Sequence, residues 1–213
     1  MSSTAPGGRE RVLAQIRQSL GCAADSQAAI TPLAGVGPRP AFSGSVVERF
    51  VAKMQEKAAT VERLASLADV GAAVARYVAA VPSGPALRVS RALAGIDWPS
   101  SLTVQHGAAV REDETSVTPC FAAVAESGGI VTRSGADTPS TLNFVPDTHI
   151  VVVHASQVVA HFEDLWAQWR ATGQPMPRTV NIISGPSRTA DIEQTIQLGA
   201  HGPRRLHILL VAS

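Results

Sequence analysis

Apolar residues recur at a helical spacing in the first part of this chain and in short β-type runs after Pro85. From Arg9 to Leu20, the side chains of Val12, Leu13, Ile16 and Leu20 share one side of a predicted helix. Gly21 stands where a left-handed cap would end it. Ala28 to Pro40 then carries Pro32, Gly35, Gly37, Pro38 and Pro40, a composition that resists regular structure. The pattern predicts an N-terminal helical arm and linker over residues 1–42 and a main domain over 43–213. Such an arm can pack on its own body or reach a second copy of the chain.

Ser45 and Glu48 form a capping-box pattern. Behind it, Val47, Phe50, Val51, Met54, Ala58, Val61, Leu64 and Ala65 predict one long helix. A second helix is expected from Asp69 as N-cap through Val70, Val74, Tyr77 and Val78, stopped by Pro82 to Pro85. Strands are predicted at 87–89, 102–104, 129–132, 150–153, 180–183 and 206–211. Several are apolar on successive residues, as in strands covered on both faces. Between them, Pro119 to Ala125 reads as a helix with Thr118 as N-cap, and Ser156 to Thr172 as another. The alternation predicts an α/β fold with a mostly parallel sheet. Ligands in such folds sit beyond the carboxyl ends of the strands, which directs attention to the loops after Val131 and Ile183.

Composition narrows the classes. Of 213 residues, 45% are hydrophobic and 16% charged, which a folded domain supports and a disordered chain does not. Eighteen Lys and Arg against 17 Asp and Glu leave a net charge of +1, so a basic footprint for nucleic acid is absent. No apolar run reaches the ~18 residues of a membrane span, and Met1 to Gly8 does not read as a secretory signal. A cytoplasmic protein is expected. Cys22 and Cys120 cannot by themselves hold an iron–sulfur cluster or a structural zinc, so no cofactor bound by this chain is expected.

Four segments can carry chemistry. Ser184 to Glu193 follows an apolar strand and holds hydroxyls, Arg188 and Asp191. Hydroxyls and backbone N–H groups there can cradle an anion, Arg188 can clamp a carboxylate or phosphate, and Asp191 can orient a donor or act as a base. The plain alternative is a turn capped by Ser187 or Thr189. His201, between Ala200 and Gly202, offers an imidazole that can meet a ligand, or simply bond a loop carbonyl. Glu126, before Ser127, Gly128 and Gly129, can be a nucleophile or base, or a solvated last-turn residue of a helix capped by Gly128. A carboxylate suits that helix end poorly. The hydroxyl-rich loop Arg133 to Asn143 can cover a site or merely cross the surface. Cys120, at a predicted helix N-terminus, has a weak claim as a nucleophile against that of a buried thiol.

Four strings occur in order: Ala-Glu-Ser-Gly at 125–128, Phe-Val-Pro-Asp-Thr-His-Ile-Val-Val-Val at 144–153, Ser-Gly-Pro-Ser-Arg-Thr-Ala-Asp-Ile-Glu at 184–193 and Gly-Ala-His-Gly-Pro at 199–203. Together they resemble the lactate-utilization protein C family, the LUD-domain group, from about Val47 to Val211. The resemblance implies a three-layer α/β/α sandwich like that of sugar-phosphate isomerases and CoA-transferases. It also implies a part in oxidising L-lactate to pyruvate beside two sister proteins that carry the iron–sulfur clusters. On the matched positions it implies Glu126, Asp191 and His201 as catalytic residues. Gly128, Ser187, Arg188, Thr189 and Gly202 would bind a small anionic metabolite.

Three classes of function compete. The chain can be an accessory subunit of a lactate-oxidising complex. It can be an independent enzyme on a phosphate- or CoA-bearing substrate, since Glu126-Ser127-Gly128 resembles the glutamate loop of CoA-transferases. It can also be a non-catalytic scaffold. Stabilisation by lactate or pyruvate favours the first, stabilisation by CoA with turnover the second, and tight partner binding without ligand response the third.

Overall fold

The computed structural model describes residues 7–21, 39–189, 197–199 and 201–212, and the chain divides into the units Met1–Pro38 and Arg39–Ser213. In the first unit, helix α1 spans Gly8–Ser19, and Gly21 adopts φ +64° beyond its end, as the sequence predicts. Val12, Ile16 and Leu20 are exposed.

In the second unit, α2 (Val46–Glu56) starts on Ser45, whose hydroxyl accepts the Glu48 N–H at 3.3 Å. The return half of the capping box is not made, because Glu48 pairs with Arg63 at 2.7 Å. The helix is shorter than its apolar period suggests. It stops at Lys57, Ala58 turns the chain at φ +63°, and Val61 and Leu64 lie on strand β1 (Thr60–Leu64). The next helix, α3 (Val70–Ala80), follows a single 3₁₀ turn. Asp69 bonds back to the Ser66 N–H at 2.9 Å and so serves that turn instead of capping α3. The chain continues through β2 (Ala86–Val89), β3 (Thr103–His106), β4 (Thr115–Pro119), β5 (Ala122–Val124) and β6 (Gly129–Arg133). Then come α4 (Thr141–Phe144), β7 (Thr148–His154), β8 (Val158–Val159), α5 (Phe162–Ala171), β9 (Val180–Ile183), β10 (Arg188–Thr189), β11 (Gln197–Leu198) and β12 (Arg205–Val211).

Two expectations need correction here. The helix predicted over Pro119 to Ala125 is the end of β4 followed by β5: Pro119 closes a strand instead of opening a helix. The helix predicted from Ser156 begins only at Phe162, because β8 intervenes and pairs with β5.

Six strands form a parallel sheet in the order β1-β12-β7-β4-β2-β3. Side-chain alternation divides its residues between two cores. Ile150, Val152, Leu209 and Val211 face α3 through Val70, Ala73, Val74 and Val78. Val151, Val153, Ile208 and Leu210 join Phe50, Val51 and Met54 of α2 with Ala123 and Ile130 of a second sheet. That sheet has the order β8-β5-β6-β9 and packs its other face on Leu165 of α5. The result is the expected α/β fold with a mostly parallel central sheet. On one side the covering layer combines a helix with a small mixed sheet. β7 is buried from Thr148 through Val153, which explains its unbroken apolar run.

The connections also define where a ligand belongs. β2 continues outward to β3, whereas β4 continues the other way to β7 and β12. The strand order therefore reverses between β2 and β4, and a crevice opens beyond the carboxyl ends of strands at such a point.

Candidate functional site

A cavity of about 360 Å³ lies at this reversal. Ala92, just past β2, and Thr118 to Phe121, at the end of β4, form one wall. Thr132 and Arg133 from β6, with Thr138, Pro139 and Asn143 from the following segment, form another, and Gln157 closes it. A neighbouring hollow of about 380 Å³ shares Ala92, Arg133 and Thr138 and continues toward Ser134 and Trp169.

Arg133 is the only charged side chain among the described residues that line the first cavity. Its Nη1 donates to Gln174 Oε1 at 2.7 Å, and its guanidinium lies 5.4 Å from the Phe121 ring centroid and 5.9 Å from that of Trp169. The two rings pack on each other at 4.8 Å. Aromatic packing thus fixes a cation at the cavity wall. Among the described residues the guanidinium has Gln174 as its hydrogen-bond partner and no carboxylate pairs with it, so most of its five N–H donors remain for a ligand.

The remaining walls are polar and mostly neutral. Asn143 Nδ2 donates to Thr132 Oγ1 at 3.0 Å. Thr118 Oγ1 lies 2.8 Å from Nε2 of His149, a fully buried ring behind the wall on β7. Burial pushes the His149 pKa down to about 3, so the ring is neutral at any working pH. Cys120 donates from Sγ to Gln157 Oε1 at 3.3 Å, and Gln157 Nε2 returns a bond to the Cys120 carbonyl at 3.1 Å. Burial pushes this thiol up to about 12. Without the predicted helix N-terminus no described group activates it, and Cys120 is a buried thiol.

The residues singled out in the sequence fall in three places. Ser187 and the 201–203 loop are laced together: Ser187 N donates to the Pro203 carbonyl at 2.8 Å, Gly199 N to the Ser187 carbonyl at 3.0 Å, and His201 N to Ser187 Oγ at 3.3 Å. A Cβ on Gly202 would stand 3.5 Å from Ser187 Cβ. Arg188 and His201 are exposed, and Thr189 pairs through its backbone with Gln197. Asp191 lies outside the described residues. This loop pair precedes β12, and Arg204 beside it pairs with Asp147, the residue before β7, at 3.6 Å. It therefore sits at the amino ends of the parallel strands. The expectation that the loop after Ile183 lies at their carboxyl ends does not hold, because β9 belongs to the second sheet.

Glu126 and Gly128 occupy the turn between β5 and β6, not a helix end. Glu126 Oε2 lies 2.8 Å from His161 Nδ1, and Oε1 accepts the Phe162 N–H at 3.2 Å. The carboxylate thus meets the positive end of α5, which suits its charge. Gly128 has φ +62°, and a Cβ there would stand 2.7 Å from Lys53 Cβ. The turn also receives Lys57 Nζ on the Ser127 carbonyl, while Ser184 Oγ donates to the Gly128 carbonyl at 2.7 Å. The loop from Arg133 to Asn143, by contrast, does line the cavity, and Arg133 is the residue whose role the sequence left open. Its signal was an arginine ending a buried strand before a hydroxyl-rich crossing.

Comparison with known proteins bears on the whole of this region. The LUD domain model matches residues 111–211, which hold every cavity residue named above except Ala92. The Lactate utilization protein C of Geobacillus kaustophilus is 30% identical over 166 residues, covering 68% of this chain and 69% of that protein. The chain belongs to the LUD-domain family. The protein of the same name from Bacillus subtilis is 36% identical over 92 residues, 42% of this LUD-domain chain and 38% of that protein. An uncharacterized protein of Neisseria meningitidis is 38% identical over 88 residues, 41% and 38% of the two chains. The matched part is thus less than half the length of the first of these curated relatives. A crystal structure of a DUF162 family protein from Deinococcus radiodurans superposes with a TM-score of 0.59, covering 81% of this chain and 99% of that one at 23% identity. That likeness carries the fold.

Proposed function

We propose that this chain takes part in lactate utilization, the oxidation of L-lactate to pyruvate, as a subunit that works with iron–sulfur partner proteins. Its own task is to bind a small carboxylate in the cavity between β2 and β4. The observation that carries this reading is Arg133: an arginine held by aromatic packing in a cavity wall, with no carboxylate paired to it among the described residues. The names of the relatives supply the metabolic context. The chemistry of this chain is then recognition. Arg133 takes the carboxylate, Thr118, Thr132 and Asn143 offer neutral polar groups beside it, and Phe121 and Pro119 exclude water on one side. The cavity of about 360 Å³ exceeds what a three-carbon acid fills. Larger 2-oxo and 2-hydroxy acids therefore belong in the ligand panel.

A second reading places the anion at the laced loops, with Ser187, Arg188, Thr189 and Gly202 as contacts and Asp191 and His201 as proton-handling groups, while Glu126 and Gly128 stand apart at the β5–β6 turn. The bond from His201 N to Ser187 Oγ favours it, since it brings two of those segments together. One experiment separates the two. Ligand present at about 100 times its Kd stabilises the folded chain by about 2.7 kcal/mol. With pyruvate, L-lactate and longer 2-oxo acids, the parent melts higher. Arg133→Ala loses that rise while Arg188→Ala keeps it. The opposite result moves the site to the loops.

A further inference from the structure

The partners of His149 specify the role of a hydroxyl in this cavity. The ring is fully buried, its Nε2 lies 2.8 Å from Thr118 Oγ1, and its Nδ1 has no partner among the described residues. A neutral imidazole carries one proton, and its two tautomers have unequal consequences. With the proton on Nδ1, a buried N–H donor has no partner among the described residues and bears its full desolvation cost. Thr118 would then have to donate to Nε2, and only its lone pairs would face the cavity. With the proton on Nε2, the group left alone is an acceptor lone pair, which is better tolerated. Thr118 then accepts from the ring, and its O–H has no other acceptor among the described residues. Thr118 lines the cavity, so that proton is available there.

We propose that Thr118 donates a preset hydrogen bond to the carboxylate of the bound ligand, and that His149, held as the Nε2–H tautomer, is the positioning residue that orients it. The proposal rests on the reading of the cavity as a carboxylate site. Arg133 brings the charge and Thr118 a directed donor, a pair that suits a carboxylate and disfavours an ammonium group at the same point.

Two measurements on the full chain test it. Long-range proton–nitrogen correlation spectra of histidine-labelled protein assign pyrrole-type character to His149 Nε2 and pyridine-type to Nδ1, unchanged between about pH 5 and 8. The reverse assignment overturns the proposal. Calorimetric titration with pyruvate and L-lactate gives the second readout. Thr118→Val weakens binding at least about tenfold, the loss expected for a hydrogen bond to a charged group. Thr118→Ser retains it. His149→Gln, whose amide can place an N–H where Nε2–H stands, binds better than His149→Leu. Circular dichroism checks that each variant is folded, and the spectra of the parent need no variant. If Thr118→Val binds like the parent while Arg133→Ala does not, the proposal falls and the cavity reading stands. If the parent binds neither acid, the cavity reading falls for these ligands and takes the proposed contact with it.

Discussion

His207 lies on β12 with Nδ1 2.8 Å from Thr60 Oγ1, its ring stacked on Tyr77 at 3.9 Å between centroids. Burial pushes its pKa down to about 4, against a smaller opposing pull from Glu62 at 3.8 Å. His149 is pushed further, to about 3, by burial alone. The unfolded chain takes up a proton on each ring near pH 6.5, whereas the folded chain resists until pH 4 or below. Across that window the unfolded state binds more protons, so stability is full above about pH 6.5 and falls as the pH drops. Each ring contributes a slope of about 1.4 kcal/mol per pH unit. Urea unfolding at pH 7 and pH 5 measures this, and the pair of substitutions His149→Gln and His207→Gln should flatten the difference. A slope that survives both substitutions would assign the acid sensitivity to other groups.

At the scale of elements, the turn after α2 illustrates how local pattern and tertiary context compete. Val61 and Leu64 continue the helical period of Phe50 and Met54, yet they sit on β1, because pairing with β12 over Thr60–Leu64 outweighs one more helical turn. The change of direction falls on Ala58 at φ +63°, a region that costs an L-residue about 1–2 kcal/mol. Ala58→Gly should remove that cost, lose part of the gain to a freer unfolded chain, and raise stability by a net ~0.5–1 kcal/mol. A melting temperature that falls instead would mean the alanine methyl contributes packing the backbone angle does not reveal. The strands that escaped the sequence reading failed for a different reason. β4 buries Thr115, Ser116 and Thr118, polar residues that hydropathy assigns to the surface. Ser116 is accommodated by donating to the Leu142 carbonyl at 2.6 Å, and Thr118 by His149. Those partners lie some thirty residues away, so no local pattern announces them. β7 and β12 were legible because their apolar runs need no such partners.

The same distinction holds for the whole molecule. The site is assembled from residue 92, residues 118–121, residues 132–143 and residue 157, which meet only because the strand order reverses between β2 and β4. Sequence proximity favoured Ser184 to Glu193 instead, where polar groups are dense along the chain, and the described part of that segment lies at the other end of the parallel strands. The architecture also predicts what the first unit contributes. Among the described residues, all members of the three hydrophobic clusters come from Phe42 onward, and α1 buries none of its residues. Among the described residues, the cavity draws on nothing before Ala92. A chain beginning at Arg39 should therefore fold with the melting temperature of the full protein and bind pyruvate or its larger homologues with the same affinity. Differential scanning calorimetry and titration calorimetry on the two chains measure both. A lower melting temperature with unchanged affinity would assign residues 1–38 a part in stability. Lost affinity in a chain that still melts cooperatively would place part of the binding site in residues that none of the described contacts reach.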